Sequence, residues 1–272
     1  MNKVKNSEKM KSGYITELFS SFQGEGPYVG RRQIFIRFAG CPYSCFYCDT
    51  PSAKEPKPSL CTVFGNVKNN NTSFGKAFLS KKRFIENPMS SHLMLELLTE
   101  LRTHDLHSVS YTGGEPLFSA AFVNEIAKGA REMHLKNYIE TSGYSARAFA
   151  SLVDHFDFAS IDIKLRCHQA STDYDKQYKN ELECIRISAE RGLETIVKVV
   201  VVKDTAIDEI EEICKDLVGL NIKFVLQPVT DESAQRDIVP GMKELFAISE
   251  LAGAFLPDVM VIPQVHKILH VP

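Results

Sequence analysis

The run QIFIRFAGCPYSCFYCDT, residues 33–50, carries an apolar strand-like segment straight into three closely spaced thiols. QIFIRFAG has the isoleucine and phenylalanine density of a buried strand. Cys41, Cys45 and Cys48 then stand in a C-x3-C-x2-C array, with the acid Asp49 and the hydroxyl of Thr50 directly behind. Thiolates are soft ligands that select zinc, copper(I) or iron–sulfur clusters. A structural zinc site is closed by four protein ligands, usually as two paired cysteine motifs. Here Cys61, Cys167, Cys184 and Cys214 are scattered singly, and no His pair of zinc-ligand spacing stands nearby. Cys184 and Cys214 fall in helical patterns, where a lone cysteine reads as a small core residue. The array is therefore one ligand short of a closed site. A cubane cluster held by three thiolates differs, because its fourth iron is open to a small molecule.

Outward from that loop the chain repeats strand-like runs: QIFIRFAG, SVSYTGGEP (108–116), KNYIETSG (136–143), FDFASIDIKL (156–165), ETIVKVVVV (194–202), IKFVLQPVT (222–230) and DVMVIPQVH (258–266). Helical stripes separate most of them, among them Leu93, Leu97, Leu98 and Leu101, then Phe122, Ile126 and Ala130, then Ile207, Ile210, Ile213, Cys214 and Leu217. Such alternation, with near-continuous apolar strands, predicts an α/β fold with a parallel sheet built from strand–helix–strand crossovers. Six or seven such units curl into a partial or complete β/α barrel; a flat doubly wound sheet is the alternative. The cysteine loop would then lie at the C-terminal end of the first strand, the rim where β/α barrels carry their chemistry. Residues 51–90, rich in Pro, Asn, Ser and Lys, read as a surface insertion. Residues 1–13 read as a flexible tail, locally basic through Lys3, Lys5, Lys9 and Lys11, and 14–272 as one domain.

Composition narrows the class. With 272 residues, 44% hydrophobic and 24% charged, the chain has the make-up of an ordinary globular protein. A net charge of −2 supplies no global attraction to nucleic acid or to an anionic membrane. No apolar run approaches the ~20 residues a bilayer needs, and MNKVKNSEKMKSGY lacks the apolar core of a secretory signal. Seven cysteines, three of them crowded, do not form a secreted disulfide framework. The expectation is a cytoplasmic, metal-binding protein.

The C-x3-C-x2-C array with Tyr47 before its last cysteine resembles the signature of the radical S-adenosylmethionine (SAM) superfamily. There the open iron is chelated by SAM, which would be the missing ligand. Thr112-Gly113-Gly114-Glu115-Pro116 resembles the superfamily's GGEP element, so Gly113, Gly114 and Glu115 are implied at SAM, and Thr112 beside the substrate. Alone it would be a strand-to-helix turn. Ser142 in Thr141-Ser142-Gly143, the run Asp162-Ile163-Lys164, and Gln227-Pro228-Val229-Thr230 end later strands and are further cofactor contacts on the same rim. Each is equally suited to a helix cap or turn, and Asp162 and Lys164 share one strand face.

Upstream, Phe22-Gln23-Gly24-Glu25-Gly26 presents an amide and a carboxylate suited to the edge of a pterin or guanine ring, and Arg37 offers a fork for a substrate carboxylate. SFQGEGPYVGRRQIFIRFAGC, the cysteine loop, TGGEP, ETSG, SIDIKL, LQPVT and the tail PQVHKILHVP together resemble the 7-carboxy-7-deazaguanine synthases, in their archaeal-type branch. SIDIKL departs from the Ser-Pro-Lys form of many members and leaves Ser160 and Asp162 both as candidates for SAM. The resemblance implies conversion of 6-carboxy-5,6,7,8-tetrahydropterin to 7-carboxy-7-deazaguanine with ring contraction and loss of ammonia. It implies a [4Fe–4S] cluster on Cys41, Cys45 and Cys48, SAM, and Mg2+ on Thr50. No catalytic side chain is implied beyond cluster and SAM. His266 and the carboxylate of Pro272 would reach the substrate, a flavodoxin or ferredoxin would supply the electron, and the chain would form a homodimer. Another radical SAM enzyme, such as a glycyl-radical activase, would share the cysteines and GGEP but not FQGEG and the tail. A non-enzymatic iron–sulfur electron carrier would normally use four cysteines.

Overall fold

Strand and helix alternate along the chain as the apolar periodicity predicts. A computed structural model describes residues 11–65, 82–231 and 237–271. In chain order the elements are β1 (Ser12–Gly13), β2 (Ile15–Phe22), β3 (Arg32–Phe38), β4 (Leu60–Phe64), β5 (Lys82–Glu86), β6 (Met89–Ser90), α1 (Ser91–Leu101), β7 (Leu106–Gly113), α2 (Ala120–Glu132), β8 (Asn137–Thr141), α3 (Ala146–Ala150), β9 (Phe158–Ile163), α4 (Tyr174–Glu190), β10 (Glu194–Val201), α5 (Ile207–Leu217), β11 (Ile222–Pro228), α6 (Met242–Gly253), β12 (Val259–Val261) and α7 (Val265–Leu269). Polar caps start several helices. Ser90 accepts from Leu93 N–H at 3.2 Å before α1, and Asp173 from Lys176 N–H at 3.2 Å before α4.

A ten-stranded sheet runs in the order β12-β11-β10-β9-β8-β7-β3-β2-β4-β5. From β12 to β3 every neighbour is parallel. These are the seven strands that the sequence predicts. Outward-facing Ile36, Tyr111, Ile139, Ile161, Val199 and Leu226 pack against the helices in one core, with Leu97 of α1, Ile126 of α2, Ile185 of α4 and Ile213 of α5. Each such side chain, fully buried, contributes about 1.5–3 kcal/mol.

The other face curls inward. Four strand spacings of ~4.8 Å would put β3 about 19 Å from β10 in a flat sheet. Yet Lys198 of β10 pairs with Glu25, in the hairpin between β2 and β3. The edges β12 and β5 do not pair, so the barrel is partial. Tyr28, Tyr138 and Phe158 fill its interior at the N-terminal ends of the strands, with ring centroids 5.0–5.9 Å apart, joined by Ile196 and Val225. Among the described residues, the inward face opens into a cavity at the C-terminal end.

Two segments differ from expectation. Within 51–90, Leu60–Phe64 pairs with β2 and with Lys82–Glu86, and Cys61 and Val63 are buried. The alternation in LCTVF, hidden among Pro and Lys, turns these two inward and extends the sheet. Within 1–13, β1 pairs with β6, and an added Cβ on Gly13 would lie 2.2 Å from the Phe122 ring. The end of that stretch is thus packed; residues 1–10 and 66–81 lie outside the described residues. Among the described residues, no helix is long and apolar enough to cross a membrane.

Candidate active site

The loop after β3 turns at Gly40, whose φ of +86° favours glycine. Its carbonyl accepts from Glu115 N–H at 2.8 Å, and its own N–H donates to the Ala53 carbonyl at 2.7 Å. Gly114 explains the tightness there. An added Cβ would lie 2.2 Å from the Gly40 oxygen, so this glycine serves close packing of TGGEP beneath the cysteine loop. Gly113, with φ +104°, does the same against Arg37.

Cys41, Cys45 and Cys48 are free, half-buried, and line one cavity at the C-terminal rim. Cys61, Cys184 and Cys214 are buried elsewhere in the core, and Cys167 is exposed. Burial, and to a lesser degree nearby Glu115, push the Cys41 thiol up to about 11. A bound metal deprotonates a coordinating thiol outright. Three converging thiols without a fourth cysteine fit a cluster with one open iron.

Around the rim each strand delivers what alternation turns inward. Arg37 ends β3, Thr112 and Gly113 end β7, and Ser142 follows β8. Asp162 and Lys164 come from the end of β9, Gln227 and Val229 from that of β11. Gln23, Gly24 and Glu25 enter from the hairpin, and Tyr47 and Thr50 from the cysteine loop. His266 arrives on α7, where Val265 N–H donates to the Gly24 carbonyl at 2.8 Å.

A chain of charge crosses the floor. Lys164 Nζ lies 2.8 Å from Asp162, Asp162 lies 3.3 Å from Lys198, and Lys198 pairs with Glu25. Burial opposes the charges of Lys164, Asp162 and Lys198, but the pairing prevails: both lysines sit above their ordinary range and Asp162 below its own. Asp49 is held at about 2, because the charges of His266, 3.7 Å away, Lys267 and Lys198 outweigh its partial desolvation. Glu25, Asp49 and His266 place their ligand atoms within 4.8 Å of one another. Burial pushes Glu140 up, and it accepts from Ser110 Oγ at 2.6 Å and Gln23 Nε2 at 3.0 Å.

Several expected contacts take other duties. Glu115 is fully buried behind the cavity, and its carboxylate accepts from Leu117 N–H, Thr141 Oγ, and both the N–H and Oγ of Ser142. It braces the loop after β8. Ile163 points outward between Asp162 and Lys164 and joins the helix-side core. Pro228 and Thr230 alternate away from the cavity that Gln227 and Val229 line, and Thr230 is exposed. Phe22 is exposed beneath the Arg32 guanidinium, 5.2 Å from its ring centroid. Gln23 lines the cavity, but its amide serves Gln33, Glu140 and Glu25 N–H. Pro272 lies outside the described residues.

Among the described residues that line the cavity, two keep a buried polar atom without a partner: Arg37, its Nε, and Gln227, its Oε1. Arg37 otherwise pairs with Glu17 and lies 5.1 Å over the Phe19 ring. A buried donor and a buried acceptor without partners suit a polar ligand. The sequence reading assigned no role to Phe35, Tyr43, Asp49, Lys54, Glu140, Lys198, Val200 and Gln264, all of which line the cavity. Asp49, Glu140 and Gln264 stand inside the quoted motifs CDT, ETSG and PQVHKILHVP, and Lys198 is the charge in the middle of the apolar run ETIVKVVVV.

Comparison with known proteins follows the same lines. The 4Fe-4S single cluster domain family matches residues 22–183. A 7-carboxy-7-deazaguanine synthase of Methanocaldococcus jannaschii is 37% identical over 260 residues, covering 94% of this chain and 98% of that one. Among solved structures, QueE from Escherichia coli superposes with a TM-score of 0.55 at 19% identity, over 94% of this chain and 95% of that one. A radical SAM methyltransferase from Sphaerobacter thermophilus gives 0.59 at 13% identity, over 91% and 77%. At those identities the two structures speak for the partial-barrel fold.

Proposed function

The chain belongs to the 7-carboxy-7-deazaguanine synthase family, and from that membership we propose how its cavity works. The protein is a radical SAM enzyme that converts 6-carboxy-5,6,7,8-tetrahydropterin to 7-carboxy-7-deazaguanine, with ring contraction and loss of ammonia, in deazapurine biosynthesis. The observation that carries this reading is the meeting of Cys41, Cys45 and Cys48 with Glu25, Arg37 and His266 in one rim cavity. When bound, the cluster and SAM supply the radical chemistry; the protein supplies orientation and a shielded cavity.

Cys41, Cys45 and Cys48 hold the [4Fe–4S] cluster. Tyr47, Gly113, Gly114, Ser142, Asp162, Lys164, Gln227 and Val229 form the SAM side. In support, Gln227 offers its unpartnered acceptor, and Tyr47 packs with Val200, Val202 and Val229 as an apolar surface suited to a base ring. Glu25, Arg37, Thr112 and His266 face the pterin, the free Arg37 Nε being suited to its carboxylate. Thr50, whose hydroxyl lies 3.5 Å from the Gly113 carbonyl, would hold Mg2+, a hard ion that takes oxygen ligands. Residues 14–272 act as one radical SAM unit, in the cytoplasm and as a homodimer. The electron comes from a flavodoxin- or ferredoxin-like protein approaching the face where Phe46 is exposed.

Anaerobic reconstitution tests the reading. Wild-type chain supplied with reductant, SAM, Mg2+ and carboxytetrahydropterin is expected to form 7-carboxy-7-deazaguanine by mass spectrometry, and Cys45→Ala to form none. An intact cluster without product in the wild type would defeat the substrate assignment.

A further inference from the structure

His168 belongs to a segment, residues 165–170, that carries no group assigned above to cluster, cofactor or substrate. It is fully buried. Its Nε2 lies 2.9 Å from the Val200 carbonyl oxygen, which can only accept, so Nε2 carries the ring proton. Nδ1 is therefore the acceptor, and two donors reach it: Leu165 N–H at 2.9 Å and the Tyr47 hydroxyl at 3.1 Å. One neutral imidazole thus ties the ends of β9 and β10 to the cysteine loop. The Tyr47 and His168 rings also meet edge to face, with centroids 4.7 Å apart at 77°. Two residues on, the Ala170 carbonyl accepts from Ser44 N–H at 3.0 Å, so the segment grips the loop a second time, between Cys41 and Cys45.

The loop needs such an anchor. Residues 41–50 contain no helix or strand, and Cys48 N–H to the Cys45 carbonyl, at 3.3 Å, is a backbone bond internal to them. Three thiols must nevertheless converge on one cluster, and ligands on a loop are held no better than the groups that support it.

We propose that His168 is a positioning residue: acting through the Tyr47 hydroxyl, and helped by Ala170, it sets the cysteine loop before any cluster binds. This rests on the function proposed above only for what the thiols hold. Its test begins on the cluster-free chain, where it does not depend on turnover.

Backbone hydrogen exchange over residues 43–50, followed by mass spectrometry, is compared in wild type, Tyr47→Phe, His168→Phe, the double variant and His168→Asn. Tyr47→Phe is expected to speed exchange of those amides by about five- to tenfold, the effect of losing one such bond, and His168→Phe by at least as much, since it also leaves Leu165 N–H and the Val200 carbonyl unpartnered. The double variant should exchange no faster than the quicker single one, because both remove the same bond. His168→Asn, whose amide oxygen can stand near the place of Nδ1, should recover most of the protection. In reconstituted enzyme the KM for SAM should rise in His168→Phe and return in His168→Asn. Additive single effects, or acceleration confined to residues 165–170, would overturn the proposal. If His168→Phe does not fold, fast exchange in Tyr47→Phe with protection in His168→Asn supports it, and any other pairing overturns it. A wild-type chain that holds its cluster yet forms no deazapurine would overturn the function and leave the exchange result standing.

Discussion

Glu181 on α4 is buried completely, and no cation pairs with it among the described residues. Gln177 Nε2 donates to it at 2.7 Å, and Lys164 N–H faces both its oxygens at 3.3 and 3.4 Å. Burial outweighs these donors and pushes its carboxyl up to about 8. The unpartnered Gln177 Oε1 is an acceptor suited to the extra proton. Between the ordinary value of 4.5 and about 8 the folded chain holds a proton that the unfolded chain has released. Its stabilising contribution is therefore full below that window and lost as pH rises through it, with a slope of up to about 1.4 kcal/mol per pH unit. Glu181→Gln should flatten urea-unfolding free energy against pH by about one proton; unchanged slopes would contradict the assignment. Lys198 gives a second residue-scale prediction. Lys198→Met leaves the half-buried Glu25 and Asp162 without their shared cation, and should cost about 3 kcal/mol in urea unfolding, with Lys198→Arg recovering part. A loss below ~1 kcal/mol would show the pair to be solvated. Cys41, Cys45 and Cys48 were legible because three thiols in ten residues have few structural uses. Glu181 and Glu140 were not, since an acid in a helix or strand shows its burial only once its face is known.

At the scale of elements, the seven parallel strands could be read from their β-branched runs. β2, with Thr, Glu and two Ser in ITELFSSF, could not, because polar residues on its inner and edge positions break the apolar pattern. The tail was legible as a motif, but its docking was not. α7 sits against Gly24, where an added Cβ would lie 2.4 Å from His266 Cβ and 2.6 Å from its backbone nitrogen. That backbone cannot yield as a side-chain tip would, so Gly24→Ala should lift α7 away. Gln264 would then leave Glu25 and Asp49, to which it now donates at 2.9 and 3.0 Å. Losing charge-assisted bonds of this kind should raise the KM for the pterin by about tenfold or more while the melting temperature and the KM for SAM stay near wild type. Steady-state kinetics varying one substrate at a time separate the two. A rise confined to SAM would contradict the placing of α7 on the substrate side.

For the whole molecule, curling decides function. Alternation along β3, β7, β8, β9, β10 and β11 turns apolar residues toward the helices and Arg37, Thr112, Glu140, Asp162, Lys198 and Gln227 inward. The aromatic plug at the opposite end leaves the C-terminal rim as the place for a ligand. Composition could not foretell which inward groups meet, because Lys198 and Glu25 are 173 positions apart in sequence. The most direct test of the central claim is the ratio of deazapurine formed to SAM consumed, measured anaerobically on the reconstituted enzyme with carboxytetrahydropterin. A ratio well above one, abolished in Cys45→Ala, is the predicted result for a SAM that is regenerated at each turnover. SAM cleaved to 5′-deoxyadenosine with no deazapurine would contradict it.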